Sequence, residues 1–128
     1  MNILVVDDDR IVLSSCERVL TSAGHAVMLE DTATDVLRLI ESSSFDLLLI
    51  DVIMPEIDPI SVVEEIKQRW PEMPIVVMSG YPTPEIIARV KSTGASCFLA
   101  KPFTPDELVR AVDRVVGTTH TFKGDQDE

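Results

Sequence analysis

At 128 residues, with 45% hydrophobic and 26% charged residues, the chain has the size and make-up of one globular domain. Its formal net charge of −11 leaves no basic stripe to neutralise phosphates, so direct nucleic-acid binding is not expected. No apolar run approaches the roughly 20 residues of a membrane span, no signal-peptide pattern opens the chain, and a cytoplasmic location is expected.

Ile3 to Val6 is a short apolar run that ends in Asp7, Asp8 and Asp9. Val12, Cys16, Val19, Leu20 and Ala23 then recur at helical spacing, with Asp9 as the cap and Gly24 as the stop. Ala26 to Leu29 is the second strand, and Thr32 is the expected cap of a helix facing inward through Ala33, Val36, Leu37 and Ile40. Leu47-Leu48-Leu49-Ile50 is a continuous apolar strand that delivers Asp51 at its end; such runs suit a parallel sheet covered on both faces. Asp58-Pro59 is a helix start, with Val62, Val63, Ile66 and Trp70 facing inward. Ile75 to Met78 is the fourth strand, closing at Ser79-Gly80, and Thr83-Pro84-Glu85 opens a short helix through Ile86, Ile87 and Val90. Cys97 to Ala100 is the fifth strand, closing at Lys101-Pro102. Thr104-Pro105-Asp106-Glu107 is a capping box before a helix that buries Leu108, Val109, Val112, Val115 and Val116. The alternation of strand and helix predicts an α/β fold with a parallel sheet and right-handed crossovers.

Four of these apolar runs end in residues with chemical capability: Asp7 and Asp8, Asp51, Ser79, and Lys101. Parallel strands share one C-terminal edge, where open α/β sheets bind their ligands, so residues far apart in sequence converge there. Asp51 reads as a nucleophile that accepts a phosphoryl group. Three converging carboxylates repel by about 4 kcal/mol per pair at ~4 Å without a cation. Oxygen-only donors select a hard ion, and Mg²⁺ held by Asp7, Asp8 and Asp51 fits that set. Lys101 adds one positive charge and Ser79 one donor around the same point. Cys16 and Cys97 form no close pair and read as buried reduced thiols, with a disulfide or metal site as the competing reading.

With these residues in place, the chain resembles the receiver domains of two-component response regulators over residues 1 to 117. The matching pieces are Leu4-Val5-Val6-Asp7-Asp8, Leu49-Ile50-Asp51 with Met54-Pro55, Met78-Ser79-Gly80, and Lys101-Pro102-Phe103. The resemblance implies a flavodoxin-like, doubly wound (βα)5 fold of strand order 2-1-3-4-5 with helices on both faces. It implies that Asp51 receives its phosphoryl group from a sensor histidine kinase or phosphotransfer protein. The main-chain carbonyl of Ile53 would join the Mg²⁺ ligands, Mn²⁺ being able to substitute, and Ser79 and Lys101 would contact the phosphoryl oxygens. It also implies a cis Lys101-Pro102 bond, a switch pair of Ser79 and Phe98, and output through the fourth helix, fifth strand and fifth helix. That face carries Arg89, Lys91, Arg110, Asp113 and Arg114 and would bind a partner, an output domain or a second copy.

Three departures from the family stand out. Pro59 replaces the usual glycine and fixes the start of the third helix. Phe98 replaces the frequent tyrosine and offers no hydroxyl. Ile53 and Tyr81, two residues beyond Asp51 and Ser79, flank the acyl phosphate by resemblance and are expected to lengthen its life, the competing reading being that Tyr81 lies flat on the fourth helix. Two other readings compete. A phosphatase of the haloacid-dehalogenase type also uses a strand-end aspartate, but wants a second acid where Ile53 stands. A degenerate receiver would bind partners without phosphorylation, against which the full acidic set and Lys101 argue. Residues 118–128 are expected to form a disordered polar tail, and the chain reads either as a single-domain regulator or as a segment of a longer one.

Overall fold

A computed structural model describes residues 1–54 and 58–117. Five strands alternate with five helices: β1 (Asn2–Val6), α1 (Arg10–Ser22), β2 (Ala26–Glu30), α2 (Val36–Ser42), β3 (Leu47–Asp51), α3 (Pro59–Arg69), β4 (Ile75–Ser79), α4 (Pro84–Ser92), β5 (Cys97–Ala100) and α5 (Pro105–Gly117). The strands form one parallel sheet in the order β2-β1-β3-β4-β5. The expected tail at 118–128 and Pro55-Glu56-Ile57 lie outside the described residues.

The continuous apolar runs are explained by burial on both faces. Side chains alternate across a strand, so Leu48 and Ile50 join Leu4, Val6, Ile75 and Val77 on one face. That face is covered by Val36 and Ile40 of α2, Val62, Val63 and Ile66 of α3, and Val90 of α4. Leu47 and Leu49 join Ile3, Val5, Val76 and Met78 on the other, beneath Leu13, Cys16 and Leu20 of α1 and Leu108, Val112 and Val115 of α5. Every residue of β3 and β4 is buried, so any polar group at their ends leaves the core directly into the cleft above.

Helix starts follow their capping chemistry. Asp9 accepts from the Ile11 and Val12 N–H groups, Asp58 from Ile60 with Pro59 in the first turn, and Thr83 from Ile86. At α5 the box closes both ways: Glu107 N–H donates to Thr104 Oγ1 at 3.1 Å, and Thr104 N–H to Glu107 Oε1 at 2.8 Å. Gly24 ends α1 at φ +96°, a conformation a side chain would strain.

Four expectations need correction. Val109 and Val116 of α5 are only half-buried, the helix sinking instead through Leu108, Ala111, Val112 and Val115. Thr32 does not cap α2: its Oγ1 accepts the Thr34 N–H at 3.2 Å and pairs with Thr34 Oγ1 at 2.9 Å. This local turn competes with the helix, which starts only at Val36 and leaves Asp35 at its N-cap without a side-chain cap bond. Trp70 stands just past α3 as its C-cap, half-buried, with the Arg69 guanidinium 4.5 Å from its ring centre. Cys97 is only partly buried, because β5 is an edge strand; Cys16 is buried and both thiols are free.

Candidate functional site

Strand register builds the site before any side chain is considered. Val6 lies level with Ile50 across β1 and β3, which sets Asp7 beside Asp51. Asp51 lies level with Met78, and Ser79 with Ala100, so Ser79 and Lys101 each step one residue further along the same edge. The Asp7 N–H donates to the Glu30 carbonyl at 3.1 Å, and the Lys101 N–H to the Ser79 carbonyl at 2.8 Å, each extending its ladder past the strand end.

One local device then turns the chain at three of these ends. Asp7 Oδ1 accepts the Asp9 N–H at 2.9 Å, Asp51 Oδ1 the Ile53 N–H at 2.8 Å, and Ser79 Oγ the Tyr81 N–H at 3.0 Å. Each side chain thereby mimics a backbone turn two residues long and is fixed in orientation. The second carboxylate oxygen of Asp7 and of Asp51 stays available, as does the one hydroxyl hydrogen of Ser79.

Lys101 occupies the space between them. Its Nζ donates to Asp7 Oδ2 at 2.6 Å and to Asp51 Oδ2 at 2.7 Å, and one ammonium hydrogen is left over. The Lys101 side chain is 18% exposed, while those of Asp7 and Asp51 are almost wholly buried. Burial pulls against the charged ammonium, but its hydrogen bonds to Asp51 and Asp7 outweigh that and hold Lys101 above the ordinary lysine range. Burial pushes the Asp7 carboxyl up; the Lys101 and Asp9 hydrogen bonds oppose this, and the charge of Asp51 adds to it.

Asp8 is exposed at the cleft mouth, and Asp7, Asp8 and Asp51 bring carboxylate oxygens within 4.8 Å of one another. Three carboxylates against one ammonium leave the cleft negative, and every donor is a hard oxygen. That set fits a hard divalent cation.

The remaining predicted residues surround this centre. Ile53 and Tyr81 are 40% and 66% exposed. Lys101-Pro102 is cis. Phe98 is half-buried against the core cluster that also holds Val77 and Val90. A groove of about 610 Å³ runs beside Lys101 between α1 and α5, lined by Val12, Cys16, Phe103 and Leu108, with the 78% exposed Ile11 at its rim. Sequence pattern did not reveal that groove, because a cleft between two helices depends on how they diverge.

The profile of the response regulator receiver domain matches residues 3–113. The chain belongs to that family. Its place is therefore in two-component phosphorelay signalling, and the phosphatase alternative falls away. The chain is 34% identical over 112 residues to the DNA-binding transcriptional regulator NtrC of Klebsiella pneumoniae, covering 88% of this chain and 24% of that protein. It is 33% identical over 122 residues to the transcriptional regulatory protein ZraR of Escherichia coli K12, covering 95% and 28%. This receiver thus spans about a quarter of the length of the curated relatives it matches. A CheY-like receiver domain protein of Methanospirillum hungatei superposes with a TM-score of 0.86 at 28% identity, over 92% of this chain and 95% of that one.

Proposed function

We propose that this receiver accepts a phosphoryl group on Asp51 from a sensor histidine kinase or phosphotransfer protein. The observation that carries the reading is the Lys101 ammonium, held 2.6 and 2.7 Å from two nearly buried carboxylates at the strand ends. An Asp51 oxygen attacks the phosphorus of the phosphohistidine. The P–O bond forms as the P–N bond breaks, and its electron pair leaves with the imidazole, which takes up a proton. Ser79 and the spare hydrogen of Lys101 stand ready to donate to the phosphoryl oxygens, a fixed array aimed at the developing charge. Asp7, Asp8, Asp51 and the Ile53 carbonyl would hold Mg²⁺, or Mn²⁺ in its place, whose charge would offset that of the carboxylates and the incoming anion. The apolar groove beside Lys101, with Ile11 at its rim, gives a protein donor a surface to rest on.

Output is assigned to the face of α4, β5 and α5. Its charged side chains Arg89, Lys91, Arg110, Asp113 and Arg114 are all exposed. Phe98, half-buried against the core cluster that includes Val90 of α4, would follow Ser79 as it turns toward the phosphoryl group. A target protein, an output domain or a second copy of the chain would read that face. The negative charge of the chain assigns it no nucleic-acid contact, and its free thiols suit the cytoplasm.

Acetyl phosphate in Mg²⁺ buffer is expected to add one phosphoryl group per chain, followed by intact mass, and a chelator to prevent it. Unlabelled protein with Mg²⁺ present would revive the reading of a receiver that signals without phosphorylation.

The lifetime of the product depends on the two side chains at the mouth. Ile53 offers an attacking water no polar guide, and Tyr81 obstructs its approach. Exchanging Ile53→Asn together with Tyr81→Glu is expected to speed loss of the phosphoryl group by about a hundredfold, the low end of what positioned groups contribute. Decay followed in Mg²⁺ buffer settles the point: an unchanged half-life refutes the shielding.

A further inference from the structure

We propose that the Asp58–Arg89 ion pair is a latch that holds α4 in its present arrangement and ties it to the chain entering α3. Of the nine residues of α4 only Val90 is buried, with Ile86 and Ile87 half-buried beside it. By contrast α3 buries five residues and α5 buries Leu108, Ala111, Val112 and Val115. Among the described residues, the side-chain ion pair from Arg89 Nη2 to Asp58 Oδ2, at 3.2 Å, is the one that joins α4 to another element. The latch and the buried anchor Val90 are adjacent in sequence, so both act on one turn of a thinly seated helix.

Asp58 is a firm post. Its Oδ1 accepts the Ile60 N–H at 3.1 Å, and its Oδ2 accepts the Ser61 hydroxyl at 3.0 Å as well as Arg89. Pro59 follows with a fixed φ and is buried, so the carboxylate moves only with the α3 terminus. Asp58 comes seven residues after Asp51, on the segment that carries the phosphoacceptor into α3. A change at Asp51 that shifts this terminus draws the carboxylate away from Arg89, or toward it, and changes the hold on α4.

The two side chains are 57% and 49% exposed. Pairs this exposed shift a two-state population by about 1.4- to 5-fold. That range suits a switch, because a stronger bond would lock the helix instead of biasing it. The use of the latch in signalling rests on the phosphoacceptor reading, whereas its hold on α4 does not.

Amide hydrogen exchange tests both parts. In metal-free protein, Arg89→Met and Asp58→Asn are each expected to speed exchange across α4 by about 1.4- to 5-fold, with α5 unchanged. Asparagine keeps the α3 cap, so unchanged α3 protection shows that the fold is intact. The double variant is expected to exchange no faster than the faster single, and 1 M salt to bring the native protein toward the variants. Unchanged α4 exchange in either single variant, or effects that simply add, overturns the latch. With Mg²⁺ and beryllofluoride, the change in α4 protection is expected to be smaller in Arg89→Met than in the native protein, and an equal change overturns the coupling to Asp51. Failure of every protein to bind beryllofluoride contradicts the phosphoacceptor reading instead, and the metal-free comparison still decides the latch.

Discussion

Asp51→Asn is expected to reduce phosphoryl uptake from one group per chain to none, while leaving the fold at least as stable. Asparagine keeps an oxygen for the Ile53 N–H but lacks the anionic nucleophile. It also removes one of two nearly buried carboxylates that share a single ammonium, and leaves Lys101 paired one-to-one with Asp7. Like charges held together are costly, and on the phosphoacceptor reading this pair is kept together for chemistry. Urea unfolding without metal, run beside mass measurement of acetyl-phosphate uptake, separates the two effects. A large loss of stability would mean that Asp51 belongs to the scaffold, and any remaining uptake would place the acceptor elsewhere.

Lys101→Met is expected to give the opposite stability result. The thioether matches the stem but leaves Asp7 and Asp51 facing each other with no cation. Removing one member of a buried ion pair costs about 3–5 kcal/mol, and the partial exposure of Lys101 places this case near the lower end. Mg²⁺ is expected to recover much of that loss in the variant and far less in the native protein, because a cation then substitutes for the ammonium. Phosphoryl uptake is expected to fall by about 10²- to 10³-fold, the effect of deleting one preorganised donor. The sign with pH follows from the raised Lys101 value. The pairing contributes fully below the ordinary lysine value of 10.5 and is lost as pH rises through the higher folded value. The gap between native and variant stability is therefore expected to persist across neutral pH, to close in strong alkali, and to close again in acid, where the Asp7 carboxyl, held above its ordinary value, takes up a proton. Equal stability of the two proteins at pH 7 without metal would show that the carboxylates need no counter-charge.

Much of this site was readable as text because its chemistry sits where periodic patterns stop. Leu47 to Ile50 is apolar throughout since both faces of β3 are covered, and the first charge after such a run must emerge at the sheet edge. Caps were equally legible: Asp9, Asp58, Thr83 and the Thr104–Glu107 box depend on spacings of two or three residues. The start of α2 was misread because Thr32 satisfies a neighbouring N–H in a turn as readily as in a helix, and composition does not say which it does. Cys97 was misjudged because strand pattern alone does not tell an edge strand from a central one. What pattern could not show at all is pairing across the fold. The distance from Lys101 to both Asp7 and Asp51 depends on the register of four strands, and the meeting of Arg89 with Asp58 depends on how α4 is set against the start of α3.

The most direct test of Asp51 as acceptor is to trap the product chemically. Protein treated with acetyl phosphate in Mg²⁺ is reduced with borohydride, which converts an acyl phosphate to an alcohol, and its peptides are mapped by mass. The modification is expected on Asp51 alone and is expected to vanish when a chelator replaces the metal. A map that marks Asp7 or Asp8 in place of Asp51, or labelling indifferent to divalent cations, would contradict it.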